Sequence, residues 1–189
     1  MTDLDAICGA LKTAPFRPLR ATLVRCVALV PLTEHGTPDY LFTSGQANRC
    51  NPPGVHCVYF SEDEKTARTE YGRRFGRSAG VLQPLGTYFA EVSLARVLDL
   101  GDIRTREAVG LKARELSVAW QAARTPIRTQ LLGLAVSKQT TFSAIRFPSD
   151  ATRAAGFAGF NIVIFQDAVQ WPDFVRILGP TKKPLQQWP

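Results

Sequence analysis

Between Gly45 and Glu70 the chain reads GQANRCNPPGVHCVYFSEDEKTARTE, and this stretch leaves few options for local structure. Gly45 and the polar residues after it open a turn. Asn51-Pro52-Pro53-Gly54 makes a second, because proline pre-sets φ while asparagine and glycine accept turn geometry. Val55 to Phe60 is a β-type run with Tyr59 inside it. Glu62 to Phe75 then carries Ala67, Tyr71 and Phe75 at helical spacing, with Ser61 as the expected N-cap and Glu64 three residues on, a capping-box pattern. Arg49, Tyr59 and Glu70 thus fall on three consecutive elements, with Glu70 at the boundary of the helix's apolar line.

The remainder reads as a scaffold for that stretch. Residues 1–20 predict a short helix and an extended lead-in through Pro15-Phe16-Arg17-Pro18. Thr22 to Pro31 is an apolar β run interrupted by Arg25, which sits at an edge, snorkels, or points into a cleft. Thr33 to Asp39 is a turn by composition, followed by a strand-like piece from Tyr40 to Thr43. Thr87 to Leu98 alternates as a strand does. Arg104 to Ala123 carries helical spacing weakened by Gly110, and Arg128 to Ser137 is a second helical piece. Phe142 to Phe147 and Asn161 to Phe165 are strand-like, the latter by its β-branched content. The stretch after Trp171 is Pro-rich and offers little that a core needs. The expected class is therefore α+β, with strands before and after a central helical section and no regular βαβ alternation.

Bulk properties narrow the function classes. A length of 189 residues suits one domain spanning 1–189, with a core over about 20–170 between the lead-in and the Pro-rich tail. With 45% hydrophobic and 21% charged residues the chain is neither disordered nor unusually polar. No apolar run approaches the roughly 18 residues a bilayer span requires, and residues 1–13 lack the pattern of a signal peptide. The expected location is the cytoplasm, with no membrane partner. The four cysteines (8, 26, 50 and 57) form no CxxC pair, and His35 and His56 are the only histidines to join them, so no metal site and no disulfide are expected. A net charge of +7 raises the question of nucleic acid, yet the positive residues are dispersed apart from Arg68, Arg73, Arg74 and Arg77. A basic nucleic-acid-binding module is the least favoured reading.

Common catalytic signatures are missing: no GxGxxG after a strand, no P-loop, no GxSxG elbow, and no setting for a Ser–His or Cys–His nucleophile. What remains is chemistry that depends on charge placement. An arginine fork pairs with phosphate oxygens, and an aromatic ring stacks on a flat cationic heterocycle. A carboxylate stabilises positive charge developing on a sugar carbon or orients a ribose hydroxyl. Arginine, tyrosine and glutamate together fit cleavage of a nicotinamide–ribose bond, whose neutral leaving group needs no general acid.

Residues 45–70 resemble the RES-domain family, named for an arginine, a glutamate and a serine. Its glycine-rich turn has the form GxxxxGRWNxxG, and Gly45, Arg49, Asn51 and Gly54 fall in that order here; its VVYxA strand is matched by Val58-Tyr59, and its helix with an inward glutamate by Glu70. Thr129, Gln130 and Gly133 are similar to the family's TQxxG helix. Ile145-Arg146-Phe147-Pro148-Ser149 is similar to its strand end, which puts the family serine at Ser149. Gly159 to Phe165 resembles its GxNxVxF strand, and Arg25 matches a second arginine often seen on the first strand. The chain departs at Asn48 and Cys50, where the family keeps glycine and tryptophan; asparagine tolerates positive φ better than most residues.

The resemblance implies an ADP-ribosyltransferase-like fold, with mixed or antiparallel sheets forming a cleft flanked by helices. It implies a bacterial toxin that degrades NAD+ as substrate, by hydrolysis or phosphorolysis, with no prosthetic group; ADP-ribosylation of a protein is the alternative. It implies a cognate Xre-type helix-turn-helix antitoxin that covers the site. Glu70, Tyr59, Arg49 and Ser149 would carry catalysis, and Arg25, Arg49, Tyr59 and Asn51 would contact NAD+. Glu70 would stabilise the ribose cation or orient its hydroxyl, and Ser149 would hydrogen-bond the ribose or a catalytic side chain.

Overall fold

Strand β1 (Arg17–Ala28) has partners on both of its edges, and this organises the sheet. On one edge it pairs antiparallel with β3 (Leu85–Asp99), in register from Leu19 opposite Leu94 to Ala28 opposite Leu85. On the other it meets β2 (Cys57–Ser61) at Val24 opposite Ser61. From β2 the sheet continues antiparallel through β5 (Phe160–Phe165) and β4 (Ala144–Pro148), and β4 runs parallel to the end of β3. The order β1-β2-β5-β4-β3, with the β1–β3 pairing, closes five strands into a ring. Strand twist makes such closure available, and closure removes unpaired edges. Strands β6 (Phe174–Leu178) and β7 (Pro184–Trp188) extend outward from β3. The structure, a computed structural model, describes residues 3–28, 39–41, 43, 45–75, 85–139, 141–179, 181 and 183–189.

Alternation along β2 and β5 divides the core in two. Val58, Phe60, Ile162 and Ile164 point into one cluster with Leu23, Val92, Leu94 and Val175. Val163 and Phe165 point into the other with Leu98, Leu132, Val136, Phe142 and Phe147, against which Cys57 and Tyr59 pack. Helices α1 (Asp3–Leu11) and α4 (Arg128–Gln139) cover this second face, with Ile7, Leu11, Leu132 and Val136 fully buried. A strand buried on both faces carries a continuous apolar run, which is why Ile162 to Phe165 shows no alternation.

The two faces end differently where the strands leave the sheet. One end is closed by ions. Arg146 donates to both carboxylate oxygens of Glu62 at 2.6 and 3.0 Å and to Asp99 at 3.0 Å, and stacks over Phe160 at 3.4 Å. Arg17 completes the cluster through Asp99 at 3.0 Å. Beside it at the same end of the strands, the polar region beneath α2 (Glu64–Phe75) and α5 (Asp150–Ala154) holds the candidate site.

Several expectations are revised. Ser61 is the last residue of β2 and not a helix cap; Asp63 caps α2 instead, accepting from the Thr66 backbone N–H at 2.7 Å and the Thr66 hydroxyl at 2.8 Å. The helix expected over 104–123 is only α3 (Ile103–Ala108), after which Gly110 turns at φ 65° and two 3₁₀ turns follow, Ala113–Ser117 and Trp120–Ala122. The stretch after Trp171 is not a loose tail, because β6 pairs with β3 and fully buries Val175 and Ile177. Tyr40 and Leu41 form a turn and not a strand. Most of the turn expected at 33–39, together with Arg77, lies outside the described residues.

Candidate active site

Glu70 is held by two short hydrogen bonds. The Ser149 hydroxyl and the Asn161 side-chain amide each donate to the same oxygen, Glu70 Oε1, at 2.6 Å. Such lengths are those of charge-assisted bonds to a carboxylate. Helix α2 supplies Glu70, the N-cap of α5 supplies Ser149, and the second residue of β5 is Asn161. Ser149 also accepts from the Thr152 N–H at 3.1 Å, so its hydroxyl oxygen caps α5 while its proton is directed to Glu70. Behind Asn161, the Ser61 hydroxyl donates to Asn161 Oδ1 at 2.8 Å.

Arg49 rises from a tight loop. Asn48 and Asn51 exchange backbone hydrogen bonds at 2.9 and 3.4 Å, and Gly54 donates to the Gly45 carbonyl at 2.8 Å, with positive φ at both glycines. Arg49 and Cys50 form the tip. The guanidinium donates to the carbonyls of Leu116 and Val118 and pairs with Asp150, the residue after Ser149, at 3.2 Å. Arg49 is therefore joined to the same α5 start as Ser149. Its fork is partly committed to protein partners, with further N–H groups left over.

The Thr129-Gln130-Gly133 group holds this loop. The Thr129 hydroxyl donates to the Arg49 carbonyl at 2.7 Å, and the Gln130 amide to the Asn48 carbonyl at 2.8 Å. A Cβ on Gly133 would stand 1.6 Å from the Cys50 carbonyl oxygen, so only glycine lets the loop cross α4 so closely.

Tyr59 supports the loop from below. Its hydroxyl accepts from the Cys50 N–H at 3.0 Å and donates to Asn51 Oδ1 at 2.8 Å, while its ring meets Phe147 edge-on at 6.4 Å. Asn51 is buried, with its amide donating to the carbonyls of Gln46, Pro52 and Val55. Asn51 thus ties the turn together rather than facing a ligand. Arg25 lies on β1, one residue beyond Val24, which pairs with Ser61; its guanidinium donates to the Tyr40 carbonyl at 3.0 Å, beside the Tyr40–Tyr88 ring contact. The residue types for the loop and for Glu70–Ser149 were readable in the sequence. Asn161 and Asp150 were not singled out as site residues and Ser61 was expected only as a helix cap, although Asn161 is the polar residue that opens an otherwise apolar run.

Burial sets the protonation of the groups beneath the loop. It pushes the Tyr59 phenol well above its ordinary value and the Cys50 thiol likewise, and raises Cys57 to about 12. These thiols stay neutral and are poor nucleophiles. A cavity of about 350 Å³ adjoins the site, lined by Arg73, Ser117, Asp150, Arg153 and Ala154. Among the described residues no helix is long and apolar enough to cross a membrane.

The RES domain family model matches residues 22–183, which includes every element of the site. The chain belongs to the RES-domain family. A search of curated proteins finds no match. Among solved structures, a chain of the M. tuberculosis MbcT–MbcA toxin–antitoxin complex superposes with a TM-score of 0.66 at 17% identity, covering 97% of this chain and 91% of that one. At that identity the likeness speaks to the fold. The residues that resemble the family's arginine, glutamate and serine are linked in the structure: Ser149 bonds Glu70, and Asp150, the next residue, bonds Arg49.

Proposed function

We propose that this RES-domain protein is the toxin of a toxin–antitoxin pair and consumes NAD+ by breaking its nicotinamide–ribose bond. The observation that carries the proposal is the Glu70 carboxylate, clamped through one oxygen by Ser149 and Asn161. A carboxylate fixed in this way can meet the positive charge that builds on the ribose carbon as nicotinamide departs. Its rigidity means little reorganisation at the moment of reaction. Arg49, with Arg25 on the neighbouring strand, supplies positive charge for the pyrophosphate. Tyr59 keeps the Arg49 loop in place and walls the site, and Ser149 orders Glu70 and stands within reach of a ribose hydroxyl. The acceptor for the ribosyl group is water, phosphate or a protein side chain. An Xre-type helix-turn-helix antitoxin bound over the cleft would keep the enzyme silent, as befits a protein that acts in the cytoplasm on a shared cofactor.

The test is incubation of purified protein with NAD+ while free nicotinamide is followed. Wild type is expected to release it, and Glu70→Gln to lower the rate by about 100-fold with the fold retained. No release by wild type, or equal release by Glu70→Gln, would sink the proposal. Label from the ADP-ribose half of NAD+ appearing on a protein band would point to protein modification by the same cleft.

A further inference from the structure

Asn161 and Ser61 are both buried, and Ser61 reaches Glu70 only through Asn161. We propose that Asn161, supported by Ser61, is a positioning residue that fixes which Glu70 oxygen faces the substrate. The inference rests on the NAD+-cleaving reading for its consequence in catalysis, and on geometry alone for the contact itself.

Both donors reach Glu70 Oε1, and among the described residues none donates to Oε2. One oxygen is therefore anchored to the protein and the other is left for a ligand. Ser149 alone would leave the carboxylate free to swing about that single bond. A second donor from another element removes the freedom, because two fixed points define the carboxylate plane. The donors come from the start of α5 and the start of β5, which are joined through the backbone bond from the Ser149 N–H to the Gly159 carbonyl at 2.8 Å.

Asn161 can do this only in one amide orientation. With the amide reversed, Oδ1 would face a carboxylate oxygen at 2.6 Å and repel it. The Glu70 carboxylate, which only accepts, selects the productive orientation, and the Ser61 hydroxyl supports it by donating to Oδ1 at 2.8 Å. Backbone register makes the selection robust: Asn161 is directly opposite Ser61 on β2 and opposite Phe147 on β4, so neither neighbour can slide. The run that follows Asn161 is wholly apolar and fully buried. A buried amide at its head needs partners, and Glu70 and Ser61 provide them.

The contact is read without substrate from the Asn161 side-chain amide protons in a ¹⁵N–¹H spectrum of the full chain. They are expected downfield and protected from exchange in the wild type, with both features lost in Glu70→Ala. Amide signals unmoved by Glu70→Ala would overturn the proposal whether or not the protein cleaves NAD+. In turnover, Asn161→Ala is expected to lower kcat about tenfold or more while KM for NAD+ stays within about twofold. Asn161→Asp, which keeps the shape but places a second carboxylate against Glu70, should be slower still and shift the pH–rate profile. Ser61→Ala tests the same relay from a site that does not touch Glu70, with kcat expected to fall about threefold while KM for NAD+ stays unchanged. Wild-type rates in Ser61→Ala and Asn161→Asp would overturn the proposal, as would a kcat loss matched by an equal rise in KM. A wild type that cleaves no NAD+ refutes the functional reading instead, and the amide spectrum still decides the contact.

Discussion

The Arg49 guanidinium lies 3.2 Å from the carboxylate of Asp150, the residue directly after Ser149. Their side chains are only 16% and 15% exposed, so the pair is mostly shielded from water. Asp150 also meets Arg153 at 2.9 Å, but Arg153 is 71% exposed. Removing the shared carboxylate strands Arg49 in a drier setting, whereas removing Arg153 loses a solvated contact. Asp150→Ala is expected to cost about 2 kcal/mol and Arg153→Ala at most about 0.5 kcal/mol. Urea unfolding of the two variants checks this, and equal midpoints would contradict it.

Two glycines on helices make opposite predictions. Gly133→Ala forces a methyl to 1.6 Å from the Cys50 carbonyl oxygen and must displace the Arg49 loop. It is expected to cost about 3 kcal/mol or more, or to abolish folding. Gly72→Ala in α2 meets nothing within 4 Å, so it should stabilise by about 0.5–1 kcal/mol through helix propensity. Thermal melts of both distinguish them.

Arg146→Lys retains a charge but not the arrangement. A lysine cannot span both Glu62 oxygens and Asp99 while lying flat on Phe160. A loss of about 2 kcal/mol is expected, measured by denaturant titration against wild type. A Lys variant as stable as wild type would show that net charge alone holds that end of the sheet.

Stability should fall at alkaline pH. Burial raises the Tyr59 phenol above its ordinary value of 10.0 and the Cys50 and Cys57 thiols above theirs of 9.0, Cys57 to about 12. The folded chain keeps these protons where the unfolded chain sheds them. The contribution is therefore complete below about pH 9 and is lost as pH rises from there towards 12. Each group adds a slope of up to about 1.4 kcal/mol per pH unit. Melting temperatures under reducing conditions should decline over that window, and Cys57→Ala should flatten the decline.

Local chemistry wrote the parts of this molecule that could be read early. The turn of Gly45 to Gly54, the β2 strand and the α2 helix follow from proline, glycine and periodicity, all of which act over a few residues. Glu70 at the edge of an apolar line was visible for the same reason. The partners of those residues were not, since they depend on register between distant strands. Nothing near Ser61 in sequence signals that it pairs with Asn161, so it was read as a cap. Likewise Val175 and Ile177 become core residues only because β3 offers an edge to β6. The 104–123 helix failed at Gly110, where a positive φ of 65° outweighed the spacing of the apolar residues.

The ring of strands cannot close before β4 and β5 have been made. Both donors to Glu70, Ser149 and Asn161, lie about eighty residues or more beyond it in the chain, and β2 finds its β5 neighbour only across that same interval. A growing chain that has exposed its first 140 residues already carries the Arg49 loop, Tyr59 and Glu70, but has nothing to hold the carboxylate still. Assembly of the site therefore waits until residues 149 and 161 have left the ribosome, and no clamped carboxylate exists before then.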